Sequence, residues 1–358
     1  MSKQLRIVDY GIKIGFLKPG KFNKITDVKG VTVGHSTIDT TEYKTGVTVI
    51  NPLGNNIFTN KLIASSCVLN GYGKTVGLIQ LNELGQLESP IALTNTLNVG
   101  IVQDALVQYM VSKSLSEGID IKSINTVVAE CNDSYLSNIV NRPVKDEHVL
   151  RAFEAATIDF QEGDIGGGKG MSCHQLKGGI GSSSRVIDLD GIEYTIGVLV
   201  QSNYGLLRDL RIDGNNIGHA ILEELKLKSE TDKGSIIVVV ATDLPLSSRQ
   251  MQRVCKRTSV GMARVGSFIG HGSGEIIIGF STGNVLKQDT SKSASDNYNN
   301  SILELKIMNE DKIDVAFRAV AEATEEAILN SMITANEVVG YRGNKRMSLK
   351  SYMHLMVK

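Results

Sequence analysis

The chain has 358 residues, 41% hydrophobic and 21% charged, enough to bury a substantial core in one or two globular domains. Its 38 basic residues cancel its 38 acidic ones, so net charge calls for neither nucleic acid nor an anionic membrane as partner. No apolar run reaches the ~18 residues of a membrane helix, and the opening Met1–Tyr10 lacks the apolar core of a signal peptide, so the expected compartment is the cytoplasm.

In chain order, the first 45 residues read as short strands and turns, with Gly30–His35 one strand and Thr45–Ile50 the next, stopped by Asn51-Pro52. Gly71-Tyr72-Gly73-Lys74-Thr75 resembles the end of a phosphate-binding loop, but the glycine that motif needs five residues earlier is Val68, so that reading fails. Gly100–Ser114 has helical spacing, with Ile101, Ala105, Leu106 and Met110 on one side. Ile124–Glu130 is a strand running into Cys131-Asn132-Asp133-Ser134-Tyr135, and such a polar cluster at a strand end is either a site or a surface loop. Asp146–Thr157 is an expected helix.

The glycine-rich zone from Gly163 to Ser182 holds Gly168-Lys169, but Gly170 follows where a nucleotide cradle needs Ser or Thr. Backbone packed closely beside a site is the better reading. The four cysteines, Cys67, Cys131, Cys173 and Cys255, stand far apart with no Cys-x-x-Cys pair, so neither zinc nor a disulfide framework is indicated. The adjacent Cys173-His174 pair and the lone His35 read as structural.

Tyr194–Gln201 is a strand delivering Asn203, whose side-chain amide could donate to an oxyanion. Ile217–Leu227 is an expected helix, followed by a polar loop from Lys228 to Gly234. Five β-branched residues, Ile236 to Val240, then form a run of the kind shown by strands covered on both faces. Ser235 stands between loop and strand. Were the Gly234–Ser235 bond cut, the freed α-amine would lie beside its own Oγ and could act as the base that activates it. Gly-Ser is also an ordinary turn into a strand, and spacing alone does not separate the two readings.

Ser247 and Gln250 fit a capping box, and Arg249, Arg253, Lys256 and Arg257 line one face of the helix that follows, a stripe that reads as solvated. Gly270–Glu275 leads into the strand Ile276–Ser281, and Ser273 and Glu275 stand two apart, so on a strand they share a face and could orient an amine and shuttle a proton. Gln288–Ser301 is Ser/Asn/Asp-rich and reads as a mobile surface loop. The helix Ile313–Thr334 carries an apolar stripe that leaves Glu322, Glu325 and Glu326 mostly outside, as expected of one-sided packing.

Taken together, the sequence resembles the DmpA-type self-cleaving aminopeptidases, the group of L-aminopeptidase/D-esterases and β-peptidyl aminopeptidases. The stretches that carry the resemblance are ITDVKGVTVGHST, TGVTVINP, NGYGKTVGL, ELGQLESPIALTNTLNVG, AECNDSYL, GDIGGGKGMSCHQLKGGIGSSSR, VLVQSNYG, KGSIIVVVATDLPL, GSGEIIIGFST and AVAEATEEAILNSM, in family order over most of the chain. The resemblance implies a single-domain αββα sandwich, an α+β fold of the N-terminal-nucleophile type related to the ornithine acetyltransferases. It implies a cut between Gly234 and Ser235, into an α chain of residues 1–234 and a β chain of residues 235–358. Ser235 would be the nucleophile, Asn203 and Tyr135 would stabilise the oxyanion, and Ser273 and Glu275 would position the amine. Glu130 would contact the substrate's free amino group. The implied substrates are small peptides or amino-acid amides and esters, the implied assembly is a homo-oligomer, commonly a tetramer, and no metal or organic cofactor is called for.

Two other readings remain at this level. Acyl transfer to an amine acceptor is possible on the same fold, since fold does not settle function. A non-catalytic protein binding a nucleotide or anion in its glycine-rich loops is the third, opposed by the failed motifs at Val68 and Gly170.

Overall fold

Alternating and helical hydrophobic periods become two sheets with covering helices in the computed structural model, which describes residues 4–225, 234–288 and 302–356. The first part supplies β1 (Thr32–Asp39), β2 (Lys44–Asn51), β3 (Asn60–Gly71), α1 (Leu78–Leu84), β4 (Gln86–Leu87), β5 (Ile91–Asn95), α2 (Val99–Ser116) and β6 (Val127–Cys131). The middle adds α3 (Asp146–Glu154), the short pair β7 (Ser172–Cys173) and β8 (Leu176–Lys177), the long pair β9 (Gly179–Leu189) and β10 (Ile192–Asn203), and α4 (Ile217–Leu225). The last part is β11 (Ser235–Thr242), α5 (Ser248–Val265), β12 (Gly274–Lys287), α6 (Asp314–Ile333) and the pair β13 (Val338–Val339) and β14 (Lys345–Arg346). The polar loop expected before Gly234 and the Ser/Asn/Asp-rich stretch fall at 226–233 and 289–301, outside the described residues.

One sheet has the order β1-β2-β5-β6, the other β4-β3-β12-β11-β10-β9. The parallel pairs β5–β6 and β11–β12 are each joined through a helix, α2 or α5, because parallel neighbours need a crossover. Those crossovers put helices on the outer faces.

The layers follow from β11. Ile236, Val238 and Val240 share a core with Met251 and Val254 of α5 and Val320 and Ile328 of α6. Ile237, Val239 and Ala241 point the other way, into a core with Val33, Ile50, Leu93 and Ala129 of the facing sheet. Beyond that sheet, Val47, Val49, Ala92 and Val128 pack on Val102 and Leu106 of α2 and Val149 of α3. Helix, sheet, sheet, helix is the αββα sandwich, and the run Ile236–Val240 is covered on both faces as expected.

One expectation is overturned. The helix at 313–334 does not pack on one side only: α6 is buried without a break from Ala319 to Ile333. Its glutamates enter the interior because cations meet them there. Arg185 of β9 lies 3.3 Å from Glu322 and 2.8 Å from Glu326, and Arg264 of α5 lies 3.2 Å from Glu325. The arginine stripe of α5, read as a solvated face, is solvated only in part: Arg249 and Lys256 are exposed, while Arg249 and Arg253 pair with Glu310 and Arg257 lies 4.0 Å from the Phe317 ring centre. The capping box forms, with Gln250 N donating to Ser247 Oγ at 3.2 Å. Among the described residues no helix is long and apolar enough to cross a membrane.

Candidate active site

The site begins where β11 begins. Ser235 is the strand's first residue, only 6% exposed, and its alternation with Ile237 and Val239 aims its side chain into the space between the sheets. It is flanked in register by Asn203 of antiparallel β10 and by Gly274 of parallel β12. Asn203 is clamped at both ends of its amide: Oδ1 accepts from Ser172 N at 2.7 Å, and Nδ2 donates to Asn132 O at 3.0 Å. One amide hydrogen of Asn203 remains for another acceptor.

Ser273 and Glu275 bracket Gly274 and are fully or almost fully buried, at 0% and 1% exposure. Ser273 lies just before β12 rather than inside it, yet its Oγ donates to Glu275 Oε1. Gly274 N donates to the carbonyl oxygen of Gly234 at 3.2 Å, which ties the carbonyl preceding Ser235 into this group. Gly234 itself admits no side chain, since a Cβ there would stand 1.9 Å from Asn203 O.

Glu130, at the end of β6, joins the cluster through one glycine. A Cβ on Gly73 would stand 2.9 Å from Ile276 Cδ1 of β12 and 3.6 Å from Glu130 Oε1. Glu130 is buried, its Oε1 accepting from Lys74 N at 2.9 Å and its Oε2 from the Thr96 hydroxyl. Both oxygens keep lone pairs for an ammonium group. Tyr135 stands at the rim, 38% exposed. The Arg346 guanidinium lies 3.7 Å from its ring centre, and Arg346 Nε donates to Ser172 Oγ at 3.2 Å, on the residue whose N–H holds Asn203. The structure thus brings Ser235, Asn203, Ser273 and Glu275 together directly, Glu130 through the Gly73 turn, and Tyr135 through Arg346 and Ser172.

Several of these partners were not visible in the sequence. Ser172 and Thr96 lie in stretches of the family resemblance that did not single them out, Arg346 lies outside all of those stretches, and Asn132 acts through its backbone carbonyl, which any residue could offer. The neighbouring thiol is inert by placement: burial, then the Glu130 charge beside it, push Cys131 well above the usual thiol range. Nor are the glycine-rich lysines open to an anion. Lys177 donates to the carbonyls of Gly168, Met171 and Gly178 at 3.1, 2.8 and 2.6 Å, while Lys169 pairs with Asp39 and Asp164 at 2.8 and 3.0 Å. His35 is structural, bonded to Thr48 Oγ1 at 2.9 Å and Gln161 O at 3.0 Å.

A buried serine opening a central strand of an αββα sandwich, with an amide donor on one neighbouring strand and a hydroxyl–carboxylate pair on the other, defines an N-terminal-nucleophile hydrolase. Residues 23–346 match Peptidase family S58, and the chain belongs to that family. It is 36% identical to the beta-peptidyl aminopeptidase BapA of Sphingosinicella microcystinivorans over 353 residues, covering 91% of this chain and 85% of the relative. Among solved structures it resembles the PH0078 protein of Pyrococcus horikoshii OT3, with TM-score 0.90, 44% identity and 98% of each chain covered. A Burkholderia sp. beta-aminopeptidase gives TM-score 0.89 and 39% identity, over 98% of this chain and 97% of the other. The L-aminopeptidase D-Ala-esterase/amidase of Ochrobactrum anthropi, described as a prototype for the serine aminopeptidases and a variant of the Ntn hydrolase fold, gives 0.86 and 33%, over 96% and 95%. The chain is a hydrolase of the aminopeptidase/amidase type.

Proposed function

We propose that the chain matures by cutting itself between Gly234 and Ser235, into pieces of 234 and 358 − 234 = 124 residues, and that the new N-terminal serine then removes N-terminal residues from short peptides, amides or esters. The observation that carries this reading is the strand register, which sets Ser235 between Asn203 and Gly274 with the Ser273–Glu275 pair alongside. In the precursor, Ser235 Oγ attacks the Gly234 carbonyl. An ester replaces the amide and frees the α-amine, and water then hydrolyses the ester to leave a Gly234 carboxylate and the Ser235 hydroxyl.

In the mature enzyme that amine serves as base for its own hydroxyl, as an α-amine, ordinarily titrating near pH ~8, is able to do. Glu275, through Ser273, holds the amine and helps return the proton to the leaving group. Asn203 and Tyr135 receive the oxyanion, a task worth roughly 3–4 kcal/mol for a single donor. Glu130 meets the substrate's ammonium, which confines cleavage to the first residue. The relatives' names support β-amino acid amides as the first substrates to try, with L- and D-alanine amides and esters beside them. Four buried cysteines without a disulfide fit a reducing, cytoplasmic compartment.

Denaturing intact-mass measurement of freshly purified protein tests the reading. Two species matching residues 1–234 and 235–358 are expected, and Ser235→Ala should stay whole at 38.7 kDa and turn over no substrate. An unsubstituted chain that remains whole and inactive after days at neutral pH would overturn it.

A further inference from the structure

The segment Asn70-Gly71-Tyr72-Gly73-Lys74 fails as a phosphate loop, yet it spans the site. At one end Lys74 N holds the Glu130 carboxylate at 2.9 Å. At the other, Asn70 Nδ2 faces three carbonyls of the turn that delivers Ser273: Gly270 O at 3.0 Å, His271 O at 3.1 Å, and Ser273 O. Asn70 reaches them because β3 bulges there. Glu275 pairs with Asn70 and Ile276 with Val68, which leaves Leu69 unmatched and turns the end of the strand.

Ser273 O belongs to the same peptide unit as the Gly274 N–H, and that N–H donates to the Gly234 oxygen at 3.2 Å. A peptide unit is planar, so whatever fixes its oxygen fixes the direction of its hydrogen. Resting on Ser235 as the nucleophile, we infer that Asn70 is a positioning residue for self-cleavage: its amide fixes the Ser273–Gly274 peptide whose N–H is aimed at the carbonyl that Ser235 attacks.

During the cut, the Ser235 Oγ–C bond forms as the Gly234–Ser235 C–N bond breaks, and the hydroxyl proton ends on the freed amine. Water then splits the ester and leaves a Gly234 carboxylate. In the tetrahedral intermediate the Gly234 oxygen carries the negative charge, so a pre-aimed N–H gains most there. Hydrogen bonds in series through one peptide also strengthen one another, so the Asn70 donor makes the Gly274 N–H a better donor in turn. Once the cut is made, the substrate's carbonyl is served by Asn203 and Tyr135. Asn70 therefore governs maturation more than turnover.

The test is a time course of intact mass for Asn70→Ala and Asn70→Asp, alongside the unsubstituted chain and Ser235→Ala. Both Asn70 variants should mature about 10- to 100-fold more slowly, the scale of a reacting group misplaced by about an ångström, with the unfolding midpoint of Asn70→Ala close to the parent's. Asn70→Asp should be the slower, since a carboxylate would face three carbonyl oxygens. Once matured, their kcat per titrated active site should fall by a clearly smaller factor than the maturation rate does, and Asn70→Gln should recover part of the maturation rate. Asn70→Ala maturing at the parent rate while Ser235→Ala stays whole would overturn this inference alone. So would a loss of folding midpoint, maturation and turnover in one proportion, the mark of a merely structural residue. A Ser235→Ala chain that still matures would overturn the nucleophile assignment and this inference with it.

Discussion

Asp133 shows what one buried residue does for the rim of the site. It is fully buried between Asn132, whose carbonyl holds Asn203, and the turn that presents Tyr135. Its backbone carbonyl accepts from Leu136 N at 3.0 Å and Ser137 N at 2.9 Å, and its Oδ2 accepts from Asn95 Nδ2 at 3.0 Å. Burial pushes its carboxyl from 3.8 up to about 7, with Glu130 adding to the rise and hydrogen bonds from Thr45 and Asn95 opposing it. The folded state therefore keeps a proton that the unfolded chain gives up. This group's contribution to stability is complete below pH ~4 and is lost as pH rises to about 7. Asp133→Asn should accordingly be more stable relative to the parent at pH 8 than at pH 5, by urea midpoints at each pH. Equal differences at both would show that Asp133 is ionised throughout. The polar cluster Cys131–Tyr135 was legible in the sequence as a strand-end group, as were Ser235, Asn203, Ser273 and Glu275. What was not legible is how they are held. Ser172 N, Asn132 O and Gly274 N are backbone groups that every sequence has, and only the register of distant strands gives them a task.

Elements are joined by buried charge as well as by apolar faces. Arg185 projects from β9 and is only 1% exposed. It meets Glu322 and Glu326 of α6 and donates through Nη2 to Ile14 O at 2.7 Å, while Glu326 also takes Asn23 Nδ2 at 2.6 Å and Ser183 Oγ at 3.0 Å. Strand, helix and N-terminal segment thus share one network. Removing a single member leaves a buried guanidinium short of a partner, which costs about 3–5 kcal/mol where such pairs have been broken, whereas replacing both by apolar residues of similar volume is often near neutral. Glu326→Ala should lower the unfolding free energy by about that amount, and replacing the whole group with Arg185→Met, Glu322→Leu and Glu326→Leu should recover most of it. A single variant within about 0.5 kcal/mol of the parent would mean that Glu322 alone satisfies Arg185. This network also explains why the sequence misled over α6. Apolar periodicity shows where a helix meets other apolar residues, and it cannot show a glutamate that is buried because an arginine more than 100 positions away is waiting for it. The run Ile236–Val240 was legible because its burial needs no such partner.

Across the whole molecule, the proposed cut falls at the junction that interlocks the two pieces. The C-terminal piece supplies β11 and β12, which lie between β3 and β10 of the N-terminal piece in the six-stranded sheet. The same piece supplies α5 and α6, and the core under them mixes Ile196, Val198 and Val200 with Ile236, Val320 and Ile328. The N-terminal piece keeps the four-stranded sheet, but the six-stranded sheet needs both pieces, and each would expose a large apolar face without the other. The cut should therefore leave the native assembly intact, with both pieces eluting together until denatured. It changes the unfolded state instead: a precursor unfolds to one chain, the mature enzyme to two, and unfolding that releases an extra molecule depends on concentration. The urea midpoint of the mature enzyme should rise with protein concentration more steeply than that of the Ser235→Ala precursor, which shares its fold and whatever self-association it has. Equal slopes would mean that the pieces stay associated when unfolded, or that no cut separates them.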